Sequence, residues 1–315
     1  MTKPLVLLSD IILARTEQAL IADYRVERLW DWEDRAAFLA GPGQEVEAIV
    51  HAGEVVLAAD FIDALPRLKI IACVSVGYDG VYVPRARARG VEVTHAAWLN
   101  ADDVADFAIG LMIAGFRGIV SGHDYVLSGD WSRRVPRRAV GALTGKTLGI
   151  VGLGHIGEAI AARAAAMKMN IAWWGPRAKD SAWRRAESVL ALADQSDVLM
   201  IACRADETNR GLVDGPVLRA LGKRGLLVNI SRGQVVQEDD LIGALQSGEL
   251  GMAALDVFWK EPTPADRWQD VPNVTLAPHA AGSTAETLVQ MVAQMLENLR
   301  RCFAGQPLLS PVPPE

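Results

Sequence analysis

Short apolar runs alternate with polar, helix-compatible stretches along most of the chain. The first series comprises LVLLSD, VEAIVHA, LKIIACVSVG and VEVTHA. The second series comprises KTLGIVGLG, MNIAWWG, SDVLMIAC, RGLLVNISRG, MAALDVF and NVTLAPH. Such alternation is typical of parallel strands joined by crossover helices. The pattern therefore predicts two α/β units in tandem, each a doubly wound parallel sheet.

Two further helices are predicted beside these series. Between the two series, the stretch AWLNADDVADFAIGLMIAGF places apolar residues on one helical face, with Asn100 as a possible cap. Near the C-terminus, Ser283 and Glu286 stand at the spacing of a capping box, before apolar residues at helical intervals. The first helix is expected to link the units, and the second to pack back on one of them.

Composition narrows the functional classes. A chain of 315 residues, half of them hydrophobic, fits two domains better than one. The net charge of -6 provides no global field to attract nucleic acid or an anionic membrane. The longest apolar run, FAIGLMIAGF, is too short to cross a bilayer, and the N-terminal run lacks a cleavage site. These features predict a cytoplasmic protein that binds neither nucleic acid nor membrane.

The cysteines and histidines predict neither a disulfide framework nor a metal site. Cys73, Cys203 and Cys302 are scattered, odd in number and without a C-x-x-C pair. The five histidines are far apart, and no His/Cys/Asp cluster has ligand spacing. Buried thiols are the simplest interpretation.

A glycine-rich turn carries the clearest chemical signal. Residues 152–157 fit G-x-G-x-x-G between the apolar run TLGIV and the Ala-rich stretch EAIAARAAAMKM, and they are Gly152, Leu153, Gly154, His155, Ile156 and Gly157. At a strand-to-helix turn the glycines allow a tight bend, close approach of a pyrophosphate, and close helix–strand packing. The motif predicts a bound dinucleotide; the alternative is a glycine turn without a ligand, and His155 is expected to be a bystander.

Three polar residues follow three strands of the second series. Arg232, Glu261 and His279 come after LLVNI, MAALDVF and NVTLAPH respectively. Ligands of open α/β sheets bind beyond the carboxyl ends of the strands, so these side chains are expected to converge. A guanidinium can hold a 2-oxo acid carboxylate, a histidine can deliver the proton, and a nearby glutamate favours the imidazolium. The nicotinamide would supply the hydride.

Each of these residues also has a plainer interpretation. Arg232 can cap a strand end, Glu261 can be an exposed loop carboxylate, and His279 can be a hydrogen-bonded core histidine. Asp256, flanked by apolar residues in ALDVF, is expected to be a carboxylate that orients the cofactor rather than a surface group.

The cofactor's ribose should meet an acidic residue about 20 positions after the glycines, but none is present. Gly175, 18 positions after Gly157, ends the run NIAWW and is followed by Pro and Arg177. With Lys179 and Arg204 nearby, the sequence predicts a cationic pocket for a 2′-phosphate and therefore a preference for NADP(H) over NAD(H). The alternative is an exposed turn arginine, with NAD(H) bound less discriminately.

Taken together, these motifs resemble the D-isomer-specific 2-hydroxyacid dehydrogenases, particularly the glyoxylate/hydroxypyruvate reductase branch. The resemblance covers nearly the whole chain, through GKTLGIVGLGHIG, SDVLMIAC, LLVNISRGQVVQEDDLIGALQSGEL, GMAALDVFWKEP and NVTLAPHAAGST. It implies a Rossmann domain over 101–286, inserted in a flavodoxin-like substrate domain formed by 1–100 and 287–315. It also implies a homodimer that acts on a small 2-oxo or 2-hydroxy acid.

The resemblance assigns roles to individual residues. It implies a catalytic set of Arg232, Glu261 and His279, with His279 as acid/base. In SVGYDGV, the backbone of Val76 and Gly77 would face the substrate carboxylate, because a backbone nest can bind such a group. Beyond the glycine turn, the residues expected to contact the cofactor are Gly175, Arg177, Cys203, Arg204, Ile230 and Asp256.

Some segments depart from the family pattern. Relatives often carry Thr-Pro-Gly before the linking helix, where this chain has Ala96-Ala97-Trp98, so the size of the substrate stays open. In the loop expected beside the adenine, the usual Leu-Pro-x-Thr is replaced by Cys203-Arg204-Ala205-Asp206. Trp131 either reaches a partner subunit's site or packs in its own loop. Because fold alone does not fix function, a dinucleotide-sensing corepressor with little turnover is the alternative hypothesis.

Overall fold

The computed structural model describes residues 3–137 and 139–313. The chain divides into two compact units. Unit 1 comprises Met1–Asn100 and Thr284–Glu315, and unit 2 comprises Ala101–Ser283.

Unit 1 is built on a five-stranded parallel sheet in the order β2-β1-β3-β4-β5. Its strands are β1 (Leu5–Leu8), β2 (Arg25–Arg28), β3 (Val46–His51), β4 (Ile70–Cys73) and β5 (Glu92–Thr94). Its helices are α1 (Glu17–Leu20), α2 (Arg35–Ala40), α3 (Ala59–Asp63), α4 (Val83–Ala88) and α11 (Ala285–Phe303). This is the strand order of flavodoxin-like folds, which confirms the predicted class.

Unit 2 holds a seven-stranded parallel sheet in the order β12-β11-β10-β9-β6-β7-β8. The strands are β6 (Thr147–Val151), β7 (Asn170–Trp174), β8 (Arg184–Arg185), β9 (Val198–Ile201), β10 (Leu226–Asn229), β11 (Met252–Leu255) and β12 (Val274–Leu276). The helices are α5 (Ala101–Arg117), α6 (Ile119–Leu127), α7 (His155–Ala166), α8 (Val189–Asp194), α9 (Gly215–Leu221) and α10 (Glu238–Ser247). Counted from β6, the order is the Rossmann order with one added strand.

The sheets are buried on both faces, as parallel sheets with crossover helices must be. In β1, Leu5 and Leu7 face one core of unit 1, while Val6 and Leu8 face the other. In β10, Leu227 and its neighbour Val228 likewise enter separate cores of unit 2. The alternation follows from the two-residue period of a strand, and it explains the almost wholly apolar strands.

Two strands were absent from the predicted series. β2 (RVER) and β8 (RR) are polar, short and at sheet edges, where only one side pairs. Neither has the apolar run on which the prediction relied.

The cap of α11 also differs from the prediction. Thr284, rather than Ser283, is the N-cap, and its side chain accepts a hydrogen bond from Thr287 N at 3.1 Å. The apolar face is as predicted in part: Met291, Met295 and Leu299 are buried, but Leu288 is 40 % exposed.

Among the described residues, no single helix is both long and apolar enough to cross a membrane. The bent pair α5 and α6 passes the same test of length and composition when the two are taken together.

Candidate active site

The glycine turn joins β6 to α7 and is tightly packed at two of its three glycines. Gly152 has φ +94°, and a Cβ there would overlap the Cα of Cys203 at the end of β9. A Cβ on Gly157 would overlap the carbonyl oxygen of Gly152. Both positions therefore require glycine, one for its backbone angle and one for the close approach of helix and strand.

The middle glycine faces open space. A Cβ on Gly154 would meet no heavy atom within 4 Å in the described part of the chain. Gly154 is also the N-cap of α7, which begins at His155, so the first amides of the helix follow directly. A tight turn, open space before its middle glycine and a helix N-terminus together fit a pyrophosphate. The turn thus has the geometry that a dinucleotide requires.

The other turn positions differ in exposure. Leu153 is 5 % exposed and belongs to the core, Ile156 is half-buried, and His155 is exposed.

β7 ends at Trp174, so Gly175 stands directly after the strand as the sequence predicted. No acidic residue lies between Gly175 and Lys179. Arg177 is exposed, and its side chain has no hydrogen bond or ion pair within the described residues. The carbonyl of Gly175 accepts a hydrogen bond from Arg185 at 2.8 Å. Arg185 belongs to β8, a strand without the apolar run on which the prediction relied.

Lys179 contacts the glycine turn itself. Its Nζ donates to the carbonyl of Leu153 at 2.9 Å and to Glu158 Oε1 at 2.5 Å. Two cationic side chains, Lys179 and Arg177, therefore belong to the segment that follows β7, and one of them is anchored on the turn. The sequence placed Lys179 nearby but carried no signal for these contacts.

The loop after β9 packs under the glycine turn. The backbone carbonyl of Cys203 accepts a hydrogen bond from the hydroxyl of Ser231. Burial raises the pKa of the Cys203 thiol to about 11, so the group is neutral at physiological pH. Ile230, 7 % exposed, lies in the core beside this loop. The expectation of buried thiols is met at Cys73 but not at Cys203 or Cys302, which are partly exposed.

Arg204 is exposed at the same loop. The hydrogen bond from Thr208 is the main cause that lowers the pKa of Asp206, and the charge of Arg204 adds to it. Asp206 caps the short 3-10 turn Glu207–Asn209.

Arg232 follows β10. The backbone of the loop after β11 packs against Gly233, the residue that follows Arg232. A Cβ on Gly233 would overlap the carbonyl group of Phe258. The two strand-end loops can approach this closely only because position 233 is glycine. Arg232 Nη1 donates to the carbonyl of Ser231 at 2.9 Å. Its charge is among the groups that lower the pKa of Glu261, so the two side chains share one electrostatic environment.

Glu261 and His279 form a direct pair. Glu261 Oε2 lies 2.6 Å from His279 Nδ1, and Oε1 accepts from Phe258 N at 2.9 Å. Burial by itself would raise the pKa of Glu261, but the hydrogen bonds from His279 and Phe258, with the charges of His279 and Arg232, lower it overall. The carboxylate is ionised, and although Glu261 is an exposed loop residue as the plainer interpretation had it, it is also paired with His279 and with Phe258 N. The contact with Glu261 fixes the orientation of the imidazole ring through Nδ1.

Asp256 holds the backbone around His279. Asp256 is 1 % exposed, and its two carboxylate oxygens accept from Ala280 N at 2.8 Å and Ala281 N at 3.0 Å. Its own carbonyl accepts from His279 N at 2.8 Å. His279 has φ +53°, a left-handed conformation that costs a non-glycine residue free energy. The prediction had Asp256 orienting the cofactor; the contacts seen here are with the histidine turn.

In unit 1, the loop after β4 contains two successive amides without an acceptor in the described residues. The carbonyl of Val76 accepts from His95 Nδ1 at 2.9 Å, and that of Gly77 accepts from the Ser75 hydroxyl at 2.6 Å. Within the described residues, the N–H groups of Val76 and Gly77 have no hydrogen-bond acceptor. Two successive unpaired amides can bind an anion. His95, which the sequence analysis did not single out, fixes this loop.

Comparisons with known proteins agree with this geometry. Residues 109–281 match the family model described as D-isomer specific 2-hydroxyacid dehydrogenase, NAD binding domain. The chain is 37% identical over 297 residues to hydroxyphenylpyruvate reductase from Plectranthus scutellarioides, an alignment that covers 94% of this chain and 95% of the relative. The same figures hold for glyoxylate/hydroxypyruvate reductase A from Arabidopsis thaliana.

Solved structures show the same similarity. A 2-hydroxyacid dehydrogenase from Ketogulonicigenium vulgare Y25 superposes with a TM-score of 0.92 at 38% identity, over 99% of both chains. An NADPH-dependent glyoxylate/hydroxypyruvate reductase from Sinorhizobium meliloti, solved with NADP and malonate, has a TM-score of 0.91 at 32% identity. That superposition covers 99% of this chain and 97% of the other.

Proposed function

The chain belongs to the D-isomer-specific 2-hydroxyacid dehydrogenase family and is an oxidoreductase, and on this premise we propose its reaction and the residues that perform it. The reaction is reduction of a small 2-oxo acid, of the glyoxylate or hydroxypyruvate type, to the D-2-hydroxy acid, with NADPH or NADH as reductant. The observation that carries the proposal is the 2.6 Å contact between Glu261 and His279 beside Arg232.

His279 is the proposed acid/base. With Nδ1 bonded to the ionised Glu261, His279 Nε2 delivers the proton to the carbonyl oxygen of the substrate. Glu261 stabilises the charged ring and fixes its orientation, while Asp256 sets the backbone from which the ring projects. The glycine turn would hold the pyrophosphate of the dinucleotide, whose nicotinamide would supply the hydride.

Arg232 is proposed to bind the substrate. A guanidinium fork can hold a carboxylate with two hydrogen bonds and polarise the adjacent carbonyl. In unit 1, the N–H groups of Val76 and Gly77 are also proposed to bind a carboxylate, because they lack other acceptors in the described residues.

A substrate panel tests the reaction. Purified protein is mixed with glyoxylate, hydroxypyruvate or pyruvate and with NADPH or NADH, and loss of absorbance of the reduced cofactor is followed. We expect turnover with at least one pair. Dinucleotide binding without turnover on any short 2-oxo acid would contradict the proposal and favour the corepressor hypothesis, which none of the relatives named above supports.

We propose that NADP(H) is the preferred cofactor. The support is the absence of an acidic residue after β7, together with the exposed Arg177 and the anchored Lys179. A carboxylate at this place would repel a 2′-phosphate, whereas a cation attracts it. The exposed Arg204 is a further proposed contact on the adenine side, with Cys203 and Ile230 forming the floor.

Substitution of Arg177 tests the preference. Arg177→Glu is expected to raise the Michaelis constant for NADPH far more than that for NADH. Only NADPH carries the 2′-phosphate that the new carboxylate would repel. The control is Arg184→Glu, an exposed arginine of β8 with the same charge change. Equal effects of Arg177→Glu on both cofactors would contradict the pocket.

A homodimer is proposed through α6. This helix has no buried residue, and its exposed apolar residues are Ile119 (55 %), Val120 (48 %), Val126 (50 %) and Leu127 (73 %). Trp131, just beyond it, is 66 % exposed, so it is not packed in its own loop. Apolar exposure of this extent on one helix is typical of a protein interface. Val126→Lys should shift the protein toward monomer in sedimentation analysis.

The cytoplasmic location stays a prediction.

A further inference from the structure

His51 is a buried ionisable residue that takes no part in the proposed reaction. It is the last residue of β3, and its exposed fraction is 0 %. Its ring makes two polar contacts, one from Nδ1 to Ser9 Oγ at 2.7 Å and one from Nε2 to the carbonyl of Val55 at 2.8 Å. Because a buried polar atom without a partner costs free energy, both contacts stabilise the ring. They join the loop after β1 to the loop after β3.

The two contacts fix the protonation state of the His51 ring. A carbonyl oxygen only accepts, so Nε2 carries the ring proton and donates to Val55. In the neutral ring Nδ1 then accepts from the Ser9 hydroxyl. Burial lowers the pKa of His51 from its ordinary value of 6.5, outweighing the opposite effects of the Val55 hydrogen bond and the Asp10 charge. The ring is therefore mainly neutral at pH 7, and its hydrogen-bond pattern is defined.

The carbonyl that His51 holds lies directly against the loop after β4. A Cβ on Gly80 would overlap the carbonyl oxygen of Val55. The backbone of Gly80 is also bonded on both sides: its N–H donates to the carbonyl of Gly53 at 2.8 Å, and its carbonyl accepts from Leu57 N at 2.8 Å. The His51 hydrogen bond thus fixes one of the groups on which this end of the loop packs.

The same loop after β3 also supports the other end of the loop after β4. Gly53 has φ +86°, and a Cβ there would overlap the carbonyl oxygen of Gly77 and the hydroxyl of Ser75. The backbone carbonyl of His51 accepts from Val74 N at 2.9 Å. The two amides proposed to bind the carboxylate therefore stand in a segment whose place is set by the loop after β3.

We propose that His51 is a positioning residue for the amides of Val76 and Gly77. It holds the Val55 carbonyl, and through it the loop after β3, in the conformation against which these amides are set. His51 itself does not touch the substrate. The inference rests on the proposed reduction of 2-oxo acids and on carboxylate binding by the two amides, and it adds the buried side chain that keeps them in place.

Two amide substitutions separate the two ring contacts. The side-chain amide of glutamine reaches about as far as Nε2 of histidine, and that of asparagine about as far as Nδ1. His51→Gln can therefore donate to the Val55 carbonyl, whereas His51→Asn cannot. For the short 2-oxo acid with the highest turnover, His51→Asn should raise KM by roughly tenfold, the effect of one lost hydrogen bond, with kcat and KM for NADPH nearly unchanged. His51→Gln should restore most of the wild-type KM.

Two further variants serve as control and second test. Ser9→Ala removes the other ring contact but keeps the one to Val55, so it should lower the thermal unfolding temperature and leave KM for the acid nearly unchanged. Gly53→Ala leaves both ring contacts of His51 intact but must displace Gly77, so it should raise KM for the acid. It replaces His51→Asn as the deciding variant if that protein does not fold.

The outcomes that overturn the inference are distinct from failure of the proposed function. An unchanged KM for the acid in the deciding variant would overturn the role of His51. An equal rise in Ser9→Ala and His51→Asn would also overturn it, because general loss of stability would then explain both. If the wild type reduces no short 2-oxo acid, the proposed function fails. Calorimetric titration with oxamate, a 2-oxo acid analogue, then tests His51 without turnover: weaker binding in His51→Asn supports its role, and equal binding refutes it.

Discussion

His279 and Trp98 occupy comparable places in different units. Each is a non-glycine residue in the left-handed region, and each follows an edge strand, β12 in unit 2 and β5 in unit 1. His279 is held from several sides, by Glu261 on its ring and by Asp256 on its backbone and on the two amides that follow. The turn of Trp98 is fixed through Ala96 and His95, while the indole stays 63 % exposed.

The difference indicates two ways of using backbone strain. At His279, hydrogen bonds fix both the backbone and the ring, as acid/base chemistry requires a ring with a defined orientation. At Trp98, the backbone is fixed, whereas the residue is 63 % exposed.

The largest expected effect is on turnover at His279. His279→Ala should lower kcat by roughly 10²- to 10⁴-fold, the usual contribution of an acid/base group. Dinucleotide binding should be nearly unchanged, because the glycine turn does not involve this side chain. Stopped-flow turnover and fluorescence titration with NADPH check both points. A kcat close to that of the wild type would remove His279 from the mechanism.

The next effect concerns Asp256. Asp256→Asn keeps one acceptor oxygen but turns an NH₂ group toward an amide, so a buried donor loses its partner. The free energy of unfolding should fall by about 1 to 3 kcal/mol, and kcat should fall with it. Denaturant unfolding and kinetics measure these changes.

Asp270→Asn provides the control for Asp256, because Asp270 is an exposed carboxylate of the same unit. It should change neither property. A variant of Asp256 with wild-type stability but a raised KM for NADPH would instead support the cofactor contact predicted from the sequence.

The strain at Trp98 predicts a smaller effect. Trp98→Gly and Trp98→Ala remove the same indole, but only alanine keeps a Cβ in the left-handed region. Trp98→Gly should therefore be the more stable of the two by about 1 kcal/mol, after allowing for the greater flexibility of unfolded glycine. Paired thermal unfolding curves measure the difference. A more stable alanine variant would show that the turn relaxes at no cost.

The smallest effect is the acid dependence of the Glu261 pair. The pKa of Glu261 is lowered from the ordinary value of 4.5, so its stabilising contribution is complete above that value. The contribution is lost as pH falls through the lowered folded-state pKa. The stability difference between wild type and Glu261→Gln should therefore shrink on acidification below about pH 4.5, as urea unfolding at several pH values would show. A difference independent of pH would contradict this.

Much of the fold was predictable from local patterns. Apolar runs of strand length marked ten of the strands, and the spacing of glycines marked the turn at Gly152. The position of Gly175 after β7 was also predicted, because the end of an apolar run is visible in the sequence. Local periodicity and glycine spacing are properties of neighbouring residues, so the sequence displays them directly.

Other features depended on partners far along the chain. The polar strands β2 and β8 exist only because each pairs with a neighbour, and Lys179 reaches Leu153 across 26 positions. Asp256 meets Ala280 and Ala281 at separations of 24 and 25. No spacing rule encodes such contacts.

The sequence by itself determined the α/β class, the glycine turn and the three polar residues after strands of the second series. It also determined that no acidic residue stands after β7 to bind the ribose of the cofactor. Only the tertiary structure decided that Glu261 binds His279, that Asp256 holds the histidine turn, and that Trp98 stands strained and exposed. The reason is physical: an element's type follows from short-range periodicity and steric preference, whereas hydrogen-bond partners and backbone strain arise when distant segments are packed together.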